Sequence, residues 1–309
     1  MRTYIKNIYF RTFKALKYGT RDPFWLLMYV FSRFFVVRQV FKKLSPKPDL
    51  VKFKFQDSIF AELDIEEAVN SLNKDGYFGG LQLPIEILNE LLVFGKSALT
   101  YGNGNLKNGF IYADKKKAEK MVGQYFSFGS FFNLDEDLPL VRKLGSDPKL
   151  MIIAAKYFES EPVHCSTRMW WNFATEHDNF DVVNTSSFYH YDKDDFSCLR
   201  VFFYLTDVDS QSGPHVCILG SHREKNLAQI LSLKERSDQE MSDIYGEKRF
   251  LTVMGIAGSG FIEDPFCFHK GTRPKDKDRL ILTLCFAASR YKVLNSRANR
   301  RFLKKLVIS

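Results

Sequence analysis

From Val163 onward the chain breaks into short apolar runs parted by Gly, Asp and Ser turns, and this pattern limits the fold more than any other feature. The runs are Val163–Phe173, Phe188–Asp192, Leu199–Val208, Val216–Leu219, Leu251–Val253, Gly260–Ile262 and Leu280–Ala287. Runs of this length bounded by turn residues read as strands. Ahead of them, 64–75, 84–99, 114–122 and 147–158 read as helices, and the Gly/Asn-rich stretch 100–112 as a turn or hairpin. Helices followed by many short strands predict a mainly β fold with flanking helices, a double-stranded β-helix of jelly-roll type. A charged insert at 223–246 interrupts the strands. Long connections of this kind often cover a mouth or bind substrate.

Within the β region, His190 and Asp192 stand two residues apart. In an extended strand, side chains at i and i+2 share a face, so both can reach one point. His269, 77 residues after Asp192, can complete a facial triad. Two histidines and one carboxylate with open positions form the ligand set of non-haem Fe(II) oxygenases. Arg279 adds a fixed cation suited to bidentate binding of a small carboxylate. Iron and a dicarboxylate cosubstrate together suggest an oxygenase dependent on 2-oxoglutarate. A bare H-x-D is a weak signal, and a hydrogen-bonding pair on a surface strand is the plain alternative. The surroundings favour the site. Ala257 to Pro265 reads as a Gly-marked turn, a short strand and a Pro break, and Leu280 to Phe286 as a buried strand. Arg273 is the rival cation, nearer His269 but set in a Lys/Asp loop before Pro274.

The stretch from about Met169 to Ser289 resembles the phytanoyl-CoA dioxygenase family. His190/Asp192, the apolar run Leu199–Leu205 with Phe202, the turn Gly213 to Ser221-His222, Gly258-Ser259-Gly260, His269 and Arg279 follow that family's order. Upstream, Glu66–Leu72, Asp75-Gly76-Tyr77 and Leu83–Leu91 loosely match its entry of helix, turn and helix. The chain departs from the pattern at His215, Leu219, Ser259 and Phe202, none of which matches a metal ligand of the family. The resemblance implies a cupin-like β-helix and a hydroxylase using Fe(II), 2-oxoglutarate and O₂. It implies His190, Asp192 and His269 as the catalytic metal ligands and Arg279 on the distal carboxylate of 2-oxoglutarate. Related halogenases replace the metal carboxylate with a small residue, so Asp192 favours hydroxylation.

Other residues are read beside these. Phe202 either lines the cosubstrate pocket or belongs to the core. Arg168, Trp170 and Asn172 share one face of a strand, from which Asn172 or Arg168 can reach cosubstrate or substrate. His215 and His222 are expected in a turn, solvated or locally hydrogen-bonded, and Asp194 and Asp195 in a solvated loop. Two readings compete with the oxygenase. One is a non-catalytic or regulatory jelly-roll protein with a vestigial metal site. The other is a metal enzyme of a different class, which has no need of Arg279.

Charge divides the chain. Residues 1–50 hold 11 Lys/Arg and 2 Asp/Glu, the tail 290–309 holds 7 Lys/Arg and no acid, and the stretch between them is acidic. The reading is a basic aromatic helical segment at 1–50, a dioxygenase domain at 51–289 with its β core at about 160–289, and a basic tail at 290–309. Such ends suit an anionic membrane surface and leave a small-molecule, lipid-linked, acyl or phosphorylated substrate open. No zinc-finger spacing or RNA-binding motif points to nucleic acid. The apolar run after Pro23 meets Arg33 too soon to span a bilayer. Its basic, aromatic helix either lies in a membrane interface or packs on the core. Five scattered cysteines form no disulfide framework, which places buried thiols in a reducing compartment such as the cytoplasm.

Overall fold

The computed structural model describes residues 18–175, 187–231, 236–291 and 297–307. The described strands are β1 (Tyr77–Gln82), β2 (Thr100–Gly102), β3 (Gly109–Phe110), β4 (Phe128–Ser130), β5 (Val163–Asn172), β6 (Cys198–Tyr204), β7 (His215–Ile218), β8 (Phe250–Val253), β9 (Ser259–Glu263), β10 (His269–Gly271) and β11 (Arg279–Ala287). They form an antiparallel sheet in the order β1-β9-β6-β11-β5-β4-β2-β3 and a second sheet in the order β10-β7-β8. Two antiparallel sheets with helices alongside are the expected mainly β fold.

Strand alternation decides which residues face the other sheet. From β6, Leu199, Val201 and Phe203 join Leu280, Leu282 and Leu284 of β11 in the large core cluster. That cluster also takes in α3 (Ile65–Asp75), α4 (Ile85–Ser97) and α8 (Pro148–Phe158), so helices cover this face. Phe202, Tyr204, Phe261 and Ile281 point the other way and meet Val253 of the smaller sheet. Each such buried side chain stabilises the fold by about 1.5–3 kcal/mol.

Local chemistry fixes the helix ends. Asp64 caps α3 by accepting from Glu67 N at 2.9 Å, and α8 starts with Asp147 as cap and Pro148 at its first position. Gly76 ends α3 at φ 72°, a left-handed backbone that glycine adopts without steric cost. A Cβ there would also collide with Cys267 Sγ and His222 Nδ1. The turn thus brings α3 against the segment leading into His269.

The segment Phe188–Asp192 differs from its expected form as a strand. It makes two isolated bridges, Tyr189 with Arg236 and His190 with His269, because the Asp192 amide turns away to Pro265 O at 2.8 Å. The long run from Leu199 ends as a strand at Tyr204. β1, β4 and β10 escape a reading by pattern because they are short or glycine-bearing. The charged insert holds two short helices, α9 (Leu227–Leu231) and α10 (Asp238–Tyr245), and 232–235 lie outside the described residues.

The described N-terminal helices and the described tail lie against the body. The helical segment read at 1–50 falls outside the described residues over 1–17. Beyond that it resolves into α1 (Pro23–Phe31) and α2 (Phe35–Leu44), parted by Ser32 to Phe34. The tail runs beside β3, where Gly109 N donates to Lys304 O at 3.0 Å and Leu306 N to Gly109 O at 2.8 Å. Arg300 pairs with Glu136 at 2.9 Å and Asp137 at 2.6 Å, so the tail's charge is partly neutralised by the body. Among the described residues no helix is long and apolar enough to cross a membrane. The helices α5 (Lys115–Val122), α6 (Leu134–Asp137) and α7 (Leu140–Gly145) complete the set and play no part in the site.

Candidate active site

The backbone pairs two of the three expected metal ligands. His190 N donates to His269 O at 3.0 Å and His269 N to His190 O at 2.9 Å. This closely spaced antiparallel pair sets the imidazoles side by side, with ring centroids 4.5 Å apart. Asp192 completes the group. Its Oδ1 lies 3.9 Å from His190 Nε2, and its Oδ2 lies 3.7 Å from His269 Nε2. One ligand atom from each residue falls within 4.8 Å of the others.

The ring orientations are fixed from behind. His190 Nδ1 donates to Phe188 O at 2.9 Å, and His269 Nδ1 donates to Cys267 O at 3.0 Å. A carbonyl only accepts, so each Nδ1 carries the proton and each Nε2 is left facing Asp192. This is how a protein presents imidazole to a metal. With one carboxylate and two imidazole nitrogens, the set fits a divalent iron and leaves other coordination positions open.

Charges around the triad are unequal. Burial and the neighbouring His269 lower the pKa of His190 to about 4. Burial also works against a charged His269, but Glu263 and Asp192 outweigh it and hold that group up at about 9. Burial would raise Asp192, yet Arg200 and the two histidines keep it well below the usual carboxylate range. Arg200 Nη1 reaches Asp192 Oδ2 at 3.0 Å and Nη2 reaches Asp194 Oδ2 at 2.5 Å. Arg200 therefore orients the Asp192 carboxylate, and Asp194 is paired where a solvated loop residue was expected. Asp195 is fully buried and caps the Phe196 and Ser289 amides, where the expectation was likewise solvation.

The interior behind His269 holds a group the sequence did not advertise. Glu263 of β9 is fully buried and accepts from His215 Nε2 at 2.7 Å, while its other oxygen lies 3.4 Å from His269 Nδ1. Burial pushes its pKa up, but His215 and His269 prevail and hold it low. His215 is thus a buried residue of β7 and not a solvated turn histidine. The turn residues Gly213-Pro214 end just before it, which is why a motif-based reading set it in the turn. His222 is buried as well, with Nδ1 3.6 Å from Cys267 Sγ.

Arg279 opens β11 directly opposite Asn172 of β5. It is buried, its Nη2 donates to Asn172 Oδ1 at 2.7 Å, and its Nη1 donates to Gly213 O. Its Nε has no hydrogen-bond partner, and no carboxylate pairs with it among the described residues. Burial pulls its pKa down, and Tyr204 is the group that works against this. Asn172 also accepts from Trp170 Nε1 at 2.9 Å, so it positions Arg279. Phe202 stacks on Phe261 at 4.8 Å inside the apolar cluster and is a core residue there. A run of rings joins Arg279 to the triad: Tyr204, Phe261, His215, His269, with successive ring centroids 6.0, 5.2 and 5.4 Å apart. Arg273 donates to Thr175 O and is only partly buried.

Arg168 and Trp170 lie on the same face of β5 as Asn172. Arg168 is exposed, stands 5.5 Å from the Trp170 ring, and joins no ion pair among the described residues.

No family model matches the chain, and no curated protein matches it. Solved structures do resemble it. The non-heme alpha ketoglutarate dependent epimerase SnoN from nogalamycin biosynthesis aligns with TM-score 0.49 and 15% identity, over 72% of this chain and 81% of that one. HygX from Streptomyces hygroscopicus, with nickel and 2-oxoglutarate bound, aligns with TM-score 0.47 and 12% identity, over 71% and 85%. AviO1 from Streptomyces viridochromogenes Tue57 aligns with TM-score 0.46 and 14% identity, over 74% and 96%.

Proposed function

We propose that the protein is an Fe(II)- and 2-oxoglutarate-dependent dioxygenase that hydroxylates an unactivated C–H bond of a substrate carrying an anionic group. The observation that carries the first half is the pairing of a His190/Asp192/His269 cluster with Arg279, a buried guanidinium lacking any carboxylate partner among the described residues. An unpaired buried cation is costly, and a dicarboxylate cosubstrate would offset that cost. Bound with 2-oxoglutarate and O₂, iron supplies an oxidant strong enough to take hydrogen from an alkyl carbon. The chain's own residues do the rest. His190, Asp192 and His269 hold the metal, Arg200 and Glu263 aim two of those ligands, and Arg279 fixes the cosubstrate.

Arg168 supports the second half. A guanidinium without an ion pair, on the strand face that also carries Asn172, suits a phosphate or carboxylate of the substrate. Phosphorylated and acyl-linked molecules both meet that requirement. A lipid-linked form would further require the enzyme to reach a membrane surface.

Anaerobic addition of Fe(II) and then 2-oxoglutarate should give a visible charge-transfer band that saturates with one cosubstrate per chain. Absence of both the band and any 2-oxoglutarate affinity would rule out the oxygenase. For the substrate, a panel of sugar and acyl phosphates should stimulate succinate release by the native protein. Arg168→Gln should lose that stimulation on the order of tenfold or more while keeping the band. Stimulation by neutral compounds alone, unaltered in the variant, would refute the anionic group.

A further inference from the structure

Helix α2 is packed inside out. An amphipathic helix on a globular protein buries its apolar stripe and shows its polar one. Here Arg38 is buried, with Nη2 donating to His222 O at 2.5 Å and the guanidinium 3.7 Å from the Phe266 ring centre. Arg38, Gln39 and Lys42 line a polar cavity of about 190 Å³ against Asn73, Tyr157 and Arg223. The apolar positions Val36, Val40 and Leu44, spaced at i, i+4 and i+8, face out, with Val36 at 71% and Leu44 at 79% of full exposure. Helix α1 is apolar on every face and also leaves a stripe outside. Met28 is buried, while Phe24, Leu27 and Phe31, at i, i+3 and i+7, are exposed, Phe24 at 75%. Both helices are held to the body by their other faces: Phe41 stacks on Phe196 at 4.6 Å, and Lys193 sits 3.9 Å from the Tyr29 ring centre.

Scattered exposed apolar residues need no explanation, but two helical stripes in succession do. The charge around them selects what covers them. Arg21, next to α1, and Lys43, within α2, are exposed and join no ion pair among the described residues. The first 17 residues add five Lys/Arg and no acid. We infer that α1 and α2 form a docking surface for an anionic phospholipid membrane. The apolar stripes enter the headgroup boundary, and the lysines and arginines meet the lipid phosphates and carboxylates. The body hangs below on the opposite faces of the same helices, which bury Met28 and Arg38. A second copy of the chain would have to bring the same basic charge to the same face, so self-association is disfavoured there. The inference does not rest on the oxygenase reading.

The test uses the full chain and vesicles of phosphatidylcholine with or without roughly 40% phosphatidylserine. At low salt the protein should float with the serine-containing vesicles and not with the neutral ones, and high salt should release it. Cutting away the segment would also strip Arg38 and Phe41 from the body, so exposed positions are changed instead. The triple variant L27S/V36S/L44S and the double variant R21E/K43E should each weaken flotation on the order of tenfold or more, with melting temperature and far-UV dichroism unchanged. Failure of the native chain to float at low salt would overturn the inference. Flotation unaffected by the triple variant would do the same. So would a dimer in sizing that the triple variant dissolves while the vesicles are ignored, since that result assigns the face to a second copy.

Discussion

Asp192→Ala should lower Fe(II) affinity by on the order of 100-fold or more and abolish 2-oxoglutarate turnover in a protein that still folds. Loss of an outer-shell partner alone typically costs metal sites 10–100-fold, and Asp192 is a direct ligand in the proposed site. The fold should survive because the Asp192 backbone contact, its amide to Pro265 O, does not involve the carboxylate. Arg200 keeps Asp194 as its partner. His190→Ala should behave in the same way, since its bridge to His269 runs through the backbone. His269→Ala should cost some stability too, because it takes a nitrogen away from buried Glu263. Anaerobic calorimetry reads the affinity and a thermal melt reads the fold. Wild-type 2-oxoglutarate consumption in these variants would remove the triad from the mechanism.

Arg279→Gln is the second large effect. Removing one partner of a buried, hydrogen-bonded charge pair costs about 2–4 kcal/mol, so 2-oxoglutarate should bind on the order of 30- to 1000-fold more weakly. Fe(II) affinity should hardly change, since Arg279 is seated at the start of β11 against Asn172 and Gly213. Arg273→Gln is the comparison. Its guanidinium is already bonded to Thr175 O on a partly buried loop, so its loss should matter far less. The opposite order of effects would move the cosubstrate cation to Arg273.

The residues legible in the sequence are those whose role shows in local spacing. His190 and Asp192 are two apart, and His269 and Arg279 each open a strand, β10 and β11, so a short pattern brings them out. Arg200 and Glu263 could not be found this way. They are cross-strand partners in the β6–β9 register, 63 positions apart in sequence, and only the strand order makes them neighbours. His215 was misplaced for a related reason. Its strand has four residues, and its partner Glu263 is on the opposite sheet. The N-terminal segment was legible as a basic, aromatic helix, but the inverted packing of α2 was not. Periodicity shows that a helix has two faces. Which face is buried depends on what the body offers, here the His222 carbonyl and the Phe266 ring for Arg38.

The tail beside β3 has a consequence for how copies of the protein behave toward one another. β3 is the last strand of the eight-stranded sheet, and such an edge presents unused amides and carbonyls to any passing chain. Residues 304–306 occupy part of that edge through the Gly109 amide and carbonyl, in parallel register with Lys305. Lysines at 304 and 305 then place like charge where a second edge would have to dock. The basic C-terminus thus serves as a cap against sheet-to-sheet aggregation, and a tag or cut that displaced it would be felt first as a loss of solubility.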